Sequence, residues 1–373
     1  MAPRADAPAP GAAGAAAWGE IGGAAVALHY GDAAAEYGAV REAAGVAERA
    51  DLAVVRLWGR DPARMVHGLI TNDLLGAPAG RAVFAAMLTP KGRMIAELRA
   101  LRRAGAAGEE VLLLLPREAL AGVREHLRRY VPPLFARWAD ASAEWSVLGI
   151  YGRRAGELLR AAAGPAAELP GEDELWAGDV AGAELVALGS RAAGGEPGAE
   201  LLTPAGAAPA VLAALLDAGR AHAARPVGFA ALETLRVEAG VPRYGPDLGE
   251  ETIPTEAYEP IGMMPRTVSF TKGCYTGQEV IVRIAHRGHV NRYLRGLRLG
   301  SAALPALRTP LVDAESGKAV GWTASAVFSP RLRENVALAF VRREVAPGRV
   351  LRLETAEGAA AEVVPLPFPT PAD

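Results

Sequence analysis

Three short stretches hold the residues best suited to chemistry. "TKGCYTGQEV" (271–280) contains the only cysteine of the chain, Cys274, with Lys272 two residues before it, Gly273 and Gly277 around it, and Tyr275, Gln278 and Glu279 beside it. An ammonium close to a thiol favours the thiolate, which is the nucleophilic form. On an extended backbone residues 272 and 274 share a side, and glycines permit positive φ or close approach of a ligand. A lone cysteine is also readily a small packed apolar residue, so both readings of Cys274 stand at this level. "LITNDLLG" (69–76) sets Asn72 and Asp73 at the end of an expected helix, where such side chains turn the backbone by hydrogen bonding to it. "LRVEAG" (235–240) sets Glu238 near another helix end.

Two weaker patterns follow the cysteine. His286 and His289 complete a C-x11-H-x2-H spacing that lacks the second close ligand of a zinc motif, so no metal site is expected. "RIAHRGHVNRYLRGLR" (283–298) is basic through Arg283, Arg287, Arg292, Arg295 and Arg298. It could hold a phosphate chain, RNA or a polyglutamate tail, and a solvated strand face accounts for it equally.

The elements that must position these residues are legible as periodicity. "LAVVRLWG" (52–59) reads as a buried strand and "RDPARMVHGLITND" (60–73) as a helix with Pro62 in its first turn. "AVFAAMLT" and "RMIAELRALRR" flank the turn "PKG" as a β-hairpin, followed by a strand at 109–116 and a helix at 117–131. The same order recurs as strand 145–152, helix 153–164, strands 183–191 and 199–204, and helix 205–219. "LWGR" and "IYGR" precede the first helix of each set, and "LLLP" and "LLTP" the second. The recurrence implies duplication of an α+β unit resembling the ferredoxin-like split βαβ, about 52–142 and about 143–240. A short helix at 228–240 ends at Gly240, a connecting segment runs over 241–279, and alternating strands from 280 to 373, beginning with "VIVRIAHRGHV", suggest an antiparallel barrel.

Composition sets the outer bounds. A chain of 373 residues exceeds one ordinary domain. A net charge of −2 supplies no whole-molecule field that would demand nucleic acid or an anionic membrane. One cysteine excludes an internal disulfide and fits a reducing cytoplasm. The longest apolar run, "VLLLLP", is too short to cross a bilayer, and residues 1–18, rich in Ala, Pro and Gly, read as a disordered tail.

Taken in order, "LITND", "LRVEAG" and "KGCYTGQE" carry a family resemblance. The octapeptide resembles the K-G-C-(F/Y)-x-G-Q-E signature of the folate-binding YgfZ family, whose members support iron-sulfur cluster synthesis or repair. That family is similar in fold to the T-protein of the glycine cleavage system, a tetrahydrofolate-dependent aminomethyltransferase. The resemblance implies an α+β protein of three domains in a cloverleaf around a folate-binding opening. Two of these are ferredoxin-like and interleaved in sequence, and the third is a C-terminal antiparallel β-barrel. It implies tetrahydrofolate or a one-carbon derivative as cofactor, Glu238 as the pterin-binding carboxylate, and Asp73 near the reactive folate nitrogen. It makes Lys272, Gly273, Cys274, Tyr275, Gly277, Gln278 and Glu279 signature residues, with the Cys274 thiol in a catalytic role. The implied function is a folate-binding accessory factor for iron-sulfur enzymes, with those client or assembly proteins as partners. The alternatives are a folate-dependent aminomethyltransferase or demethylase, and an RNA-binding or tRNA-modification accessory. The hairpin "MLTPKGRMIAELR" (87–99) lacks the paired acids that T-proteins carry after the turn.

Overall fold

A computed structural model describes residues 14–105, 108–191, 193–355 and 358–369. Residues 1–13 of the expected tail lie outside the described residues. The end of that stretch is a strand: Ala17–Ile21 pairs antiparallel with Ala24–His29.

The first repeat forms a five-stranded sheet in the order Val83–Leu88, Met94–Gly105, Gly108–Pro116, Leu52–Gly59, Ala136–Asp140. Removing the edge strand Val83–Leu88 leaves the strand order of a split βαβ. The second repeat builds the same arrangement from Leu175–Val180, Ala183–Ser190, Gly198–Pro204 and Trp145–Tyr151. Its next neighbour comes from elsewhere in the chain, because Gly45–Glu48 lies between Trp145–Tyr151 and the short strand Arg225–Pro226. An N-terminal strand thus completes the second sheet, which local periodicity does not reveal. Val54, Leu101 and Leu112 of one sheet pack in a common cluster with Val147, Val186, Leu188 and Leu202 of the other. Strands buried on both faces need continuous apolar runs such as "VLLLLP" rather than alternation.

Two compact units result. One takes the described residues up to Leu69 together with Asp73–Ala85 and Leu98–Glu233, and so holds both sheets. The other takes Ile70–Asn72, Ala86–Glu97 and the described residues from Thr234 onward. Its largest element is a closed barrel of six strands, ordered Arg292–Gly300, Glu334–Arg342, Ala319–Ser329, Pro310–Asp313, Val350–Leu353 and Ala360–Val364. Among the described residues no helix is long and apolar enough to cross a membrane.

Two expected elements differ. The helix after Leu52–Gly59 spans only Pro62–His67, capped by Asp61 accepting the Arg64 N–H, so Asn72 and Asp73 lie beyond it. "VIVRIAHRGHV" is not a barrel strand: Gln278–Arg287 is a helix. Its β-branched residues misled the strand reading, since Ile281 is buried while Arg283, His286 and Arg287 are exposed, the spacing of a helix lying on a surface. Barrel strands therefore begin at Arg292 rather than 280.

Candidate functional site

The segment after Glu238 folds back on an arginine that precedes it. The helix Phe229–Glu238 stops at Gly240, whose φ of +71° suits glycine. Arg236, 6% exposed, then donates from Nη1 to Asp247 Oδ2 at 2.5 Å and to Val241 O at 3.0 Å, and from Nη2 to the Ser325 hydroxyl. Asp247 also accepts the backbone N–H groups of Arg243 (2.9 Å) and Ser325 (2.8 Å). One buried ion pair thereby fixes the loop 241–247 against the barrel strand Ala319–Ser329.

Glu238 is entirely buried. Its Oε1 accepts the Ser329 hydroxyl at 2.5 Å and the Arg331 N–H at 3.4 Å, and its carbonyl oxygen accepts from Arg331 Nη2 at 3.2 Å. It is not the exposed helix-end acid that its position alone would suggest.

A second acid belongs to the same unit and was not singled out from the sequence. Glu97 lies in the hairpin strand Met94–Gly105, 8% exposed, and its Oε1 accepts the Tyr244 N–H at 2.9 Å. Its Oε2 is buried with no hydrogen-bond partner among the described residues. Burial pushes this carboxyl up to about 7; the Tyr244 N–H and Arg243 pull against the shift, and Asp247 adds to it. The available signal was an acid set inside the apolar run "MIAEL", a strand buried on both faces.

The signature loop is anchored to the "LITN" segment. Lys272 is 8% exposed, and its Nζ donates to the carbonyl oxygens of Ile70 (2.8 Å) and Asn72 (3.1 Å) while lying 5.2 Å from the Tyr275 ring centroid. The Thr71 hydroxyl donates to Thr267 O at 2.6 Å, the Asn72 amide to Arg266 O at 2.7 Å, and the Ser269 N–H to Thr71 O at 3.0 Å. Cys274 is a free, exposed thiol, so the packed-residue reading does not hold. The Lys272 ammonium is engaged by main-chain carbonyls, which gives it a bracing role.

The two glycines of the signature differ. Gly277 has φ +83°, and a Cβ there would meet Thr89 O at 2.6 Å, so the start of the helix Gln278–Arg287 requires glycine against the hairpin turn. Gly273 has neither positive φ nor a neighbour that a Cβ would meet within 4 Å. Tyr275 is buried with its hydroxyl unpartnered among the described residues, and burial pushes it up to about 12. Gln278 begins the helix, its N–H donating to Tyr275 O, and Glu279 is exposed in the first turn, where an acid suits the helix dipole.

Asp73 belongs to the first unit. Its Oδ1 accepts the Gly76 N–H at 2.8 Å and lies 3.4 Å from His67 Nδ1. This is the local turn role its residue type suggests, joined by a histidine the sequence did not mark. The basic stretch is largely engaged within the protein: Arg292 pairs with Glu256 and lies 4.5 Å from the Trp322 ring centroid, Arg298 pairs with Glu334, and Arg295 lies against Tyr293. Among the described residues no three His, Cys, Asp or Glu side chains gather as metal ligands would.

Comparison with known proteins agrees with this architecture. Residues 11–270 match the GCVT N-terminal domain, and residues 292–369 match the glycine cleavage T-protein C-terminal barrel domain. An aminomethyltransferase of Saccharopolyspora erythraea is 32% identical over 353 residues, 91% of each chain. One from Moorella thermoacetica is 30% identical over 327 residues, 86% of this chain and 85% of that protein. The crystal structure of glycine cleavage system aminomethyltransferase T from Bartonella henselae superposes with a TM-score of 0.80 over 95% of both chains at 20% identity, a likeness of fold. The chain belongs to the glycine cleavage T-protein family, with two α+β sheets and a closed antiparallel barrel as its architecture.

Proposed function

We propose that this protein binds tetrahydrofolate and transfers a one-carbon group upon it, in the manner of an aminomethyltransferase. The observation that carries this reading is the buried carboxylate of Glu238, held by Ser329 and by the Arg331 backbone. A carboxylate withdrawn from water makes strong paired hydrogen bonds to a planar N–H and amine edge, which a pterin presents. Glu97, with one carboxyl oxygen unclaimed, fits a ligand that brings further N–H groups. Bound folate would supply the nitrogen that carries the one-carbon unit. The protein's part is to hold the ring through Glu238 and to keep water from it.

Calorimetric titration of tetrahydrofolate into wild type and Glu238→Gln tests the site. Binding by the wild type with at least a roughly tenfold loss in the variant is expected for a lost charge-assisted pair; equal affinities would remove the pterin assignment. Turnover of a methylamine-type donor that falls in Asp73→Asn and ignores Cys274→Ser would mark transfer chemistry.

The exposed thiol of Cys274 within "KGCYTGQE" favours a second reading: a YgfZ-like, cytoplasmic accessory factor for iron-sulfur enzymes. It expects folate binding without turnover. In a deletion strain, iron-sulfur enzyme activities would return with the wild type and not with Cys274→Ser; full rescue by the serine variant would refute it.

A further inference from the structure

We propose that a cavity at one end of the C-terminal barrel binds a small organic anion, its oxyanion head held by Lys318 and Arg342 and its apolar part lying over Val320 and Val345. The cavity measures about 460 Å³, within the range of small-molecule sites. It lies between the turn 313–318, which joins Pro310–Asp313 to Ala319–Ser329, and the segment 342–349, which follows Glu334–Arg342. Val320 and Val345 are 9% and 7% exposed and belong to the barrel core, so the floor is apolar. The site lies wholly within the second compact unit and needs nothing from the folate reading.

The rim is charged and unevenly paired. Arg349 donates from Nη2 to Asp313 Oδ2 at 2.8 Å and meets Glu315 through Nη1 and Nη2 at 3.3 and 3.2 Å, so its charge is committed. Asp313 is held well below the usual carboxylate range by Arg349 and by the Ser316 N–H and hydroxyl, both 2.8 Å from its Oδ1. These bonds, with the Asp313 N–H on Lys318 O and the Gly317 N–H on Asp313 O, both at 2.9 Å, stiffen the turn that carries Lys318. On the other wall Arg342 meets Glu344 at 3.7 Å, both side chains being exposed. The Lys318 ammonium has no ion pair among the described residues. Exposed cations alone hold an anion weakly in water; the apolar floor beside them supplies the remainder. An oxyanion between Lys318 and Arg342 gains two charge-assisted contacts, and an aliphatic or aromatic body beneath it covers the two valines. A cationic ligand gains no head-group contact, and a bare inorganic anion leaves the floor open to water.

The test follows the backbone amide resonances of the full-length, isotope-labelled chain as hexanoate is added. Saturable shifts confined to 313–320 and 342–349, half-complete at about millimolar concentration, are expected. Acetate, which lacks the chain, and hexylammonium, which reverses the charge, should each bind at least roughly tenfold more weakly. Lys318→Ala should weaken hexanoate about tenfold, Lys318→Arg should retain most of the affinity, and added salt should weaken binding to the wild type. Arg342→Gln, on the opposite wall, gives a second variant with the same expected loss. Hexyl phosphate titrated in parallel identifies the head group: tighter binding than hexanoate marks a phosphoryl ligand, and weaker binding marks a carboxylate. Absence of shifts in both segments with both anions overturns the proposal. Equal affinity for hexylammonium, or hexanoate binding that neither Lys318→Ala nor Arg342→Gln weakens, overturns it as well. Both substituted side chains are exposed, and unshifted resonances from the other barrel strands verify that each variant is folded.

Discussion

Two buried glutamates, one in each unit, meet opposite fates. Glu200, 2% exposed on the strand Gly198–Pro204, lies between two guanidinium groups: Arg99 donates to its Oε2 and Arg49 to its Oε1 at 3.3 Å, with the Tyr151 hydroxyl adding a bond at 2.9 Å. Arg49 also grips Asp51 through two bonds of 2.9 and 2.8 Å, and Arg99 donates to the Ser190 hydroxyl at 3.0 Å. Burial pushes the Glu200 carboxyl up, yet Arg99 and Arg49 with these hydrogen bonds hold it below its ordinary value. At Glu97 burial wins, one oxygen stays open, and the carboxyl rises to about 7. The difference separates a carboxylate whose oxygens are both claimed by the protein from one left with an open oxygen. A satisfied buried charge costs little to keep and much to disturb, while a half-satisfied one is held at a cost that a ligand can offset.

The sharpest way to break this comparison is Arg49→Met, which leaves Asp51 without its clamp and Glu200 with one cation. A loss of about 3–5 kcal/mol is expected in denaturant unfolding of the first unit; a loss under about 1 kcal/mol would mean the network contributes little. Because the folded Glu200 carboxyl is depressed, the stability it confers is present above its ordinary range and is lost as pH falls through its lower folded value.

Glu97→Gln should act in the opposite sense. The folded carboxyl is raised from 4.5 to about 7, so the wild type loses stability as pH rises across that window, in total about 3 kcal/mol at most. The variant is expected to be the more stable protein at pH ~8 and to match the wild type below pH ~4.5. A variant less stable than wild type at high pH would show that Glu97 is a structural acid after all.

Lys272→Met is a smaller perturbation, about 1–3 kcal/mol, since it strands the carbonyls of Ile70 and Asn72. Amide exchange in 267–272 and 70–72 should quicken; unchanged exchange in both segments would show that the lysine does not brace them. The least effect is expected from Arg283→Ala with Arg287→Ala on the exposed helix face, within about 0.5 kcal/mol of wild type. If RNA bound with steep salt dependence and lost that affinity in this double variant, the basic stretch would have a role beyond solvation.

Much of the framework was readable because local periodicity expresses local burial. Strands 52–59, 109–116 and 145–152 and the duplicated order emerged within a residue or two of their observed bounds. The helix Gln278–Arg287 did not, because "VIVRI" has strand-like residues and only the surface beneath it selects the helical spacing. The insertion of Gly45–Glu48 beside Trp145–Tyr151 was equally invisible, since pairing across a hundred residues leaves no local mark.

At the site, motifs named the residues and packing assigned their work. The sequence by itself determined the α+β duplication, the terminal barrel, and Glu238 as a candidate carboxylate. Tertiary structure alone decided that the Lys272 ammonium braces two carbonyls, that Asp73 turns a loop beside His67, and that Glu97 is buried with an open oxygen. The reason is physical: hydrophobic period is written along the chain, whereas hydrogen-bond satisfaction and charge depend on groups brought together from distant positions.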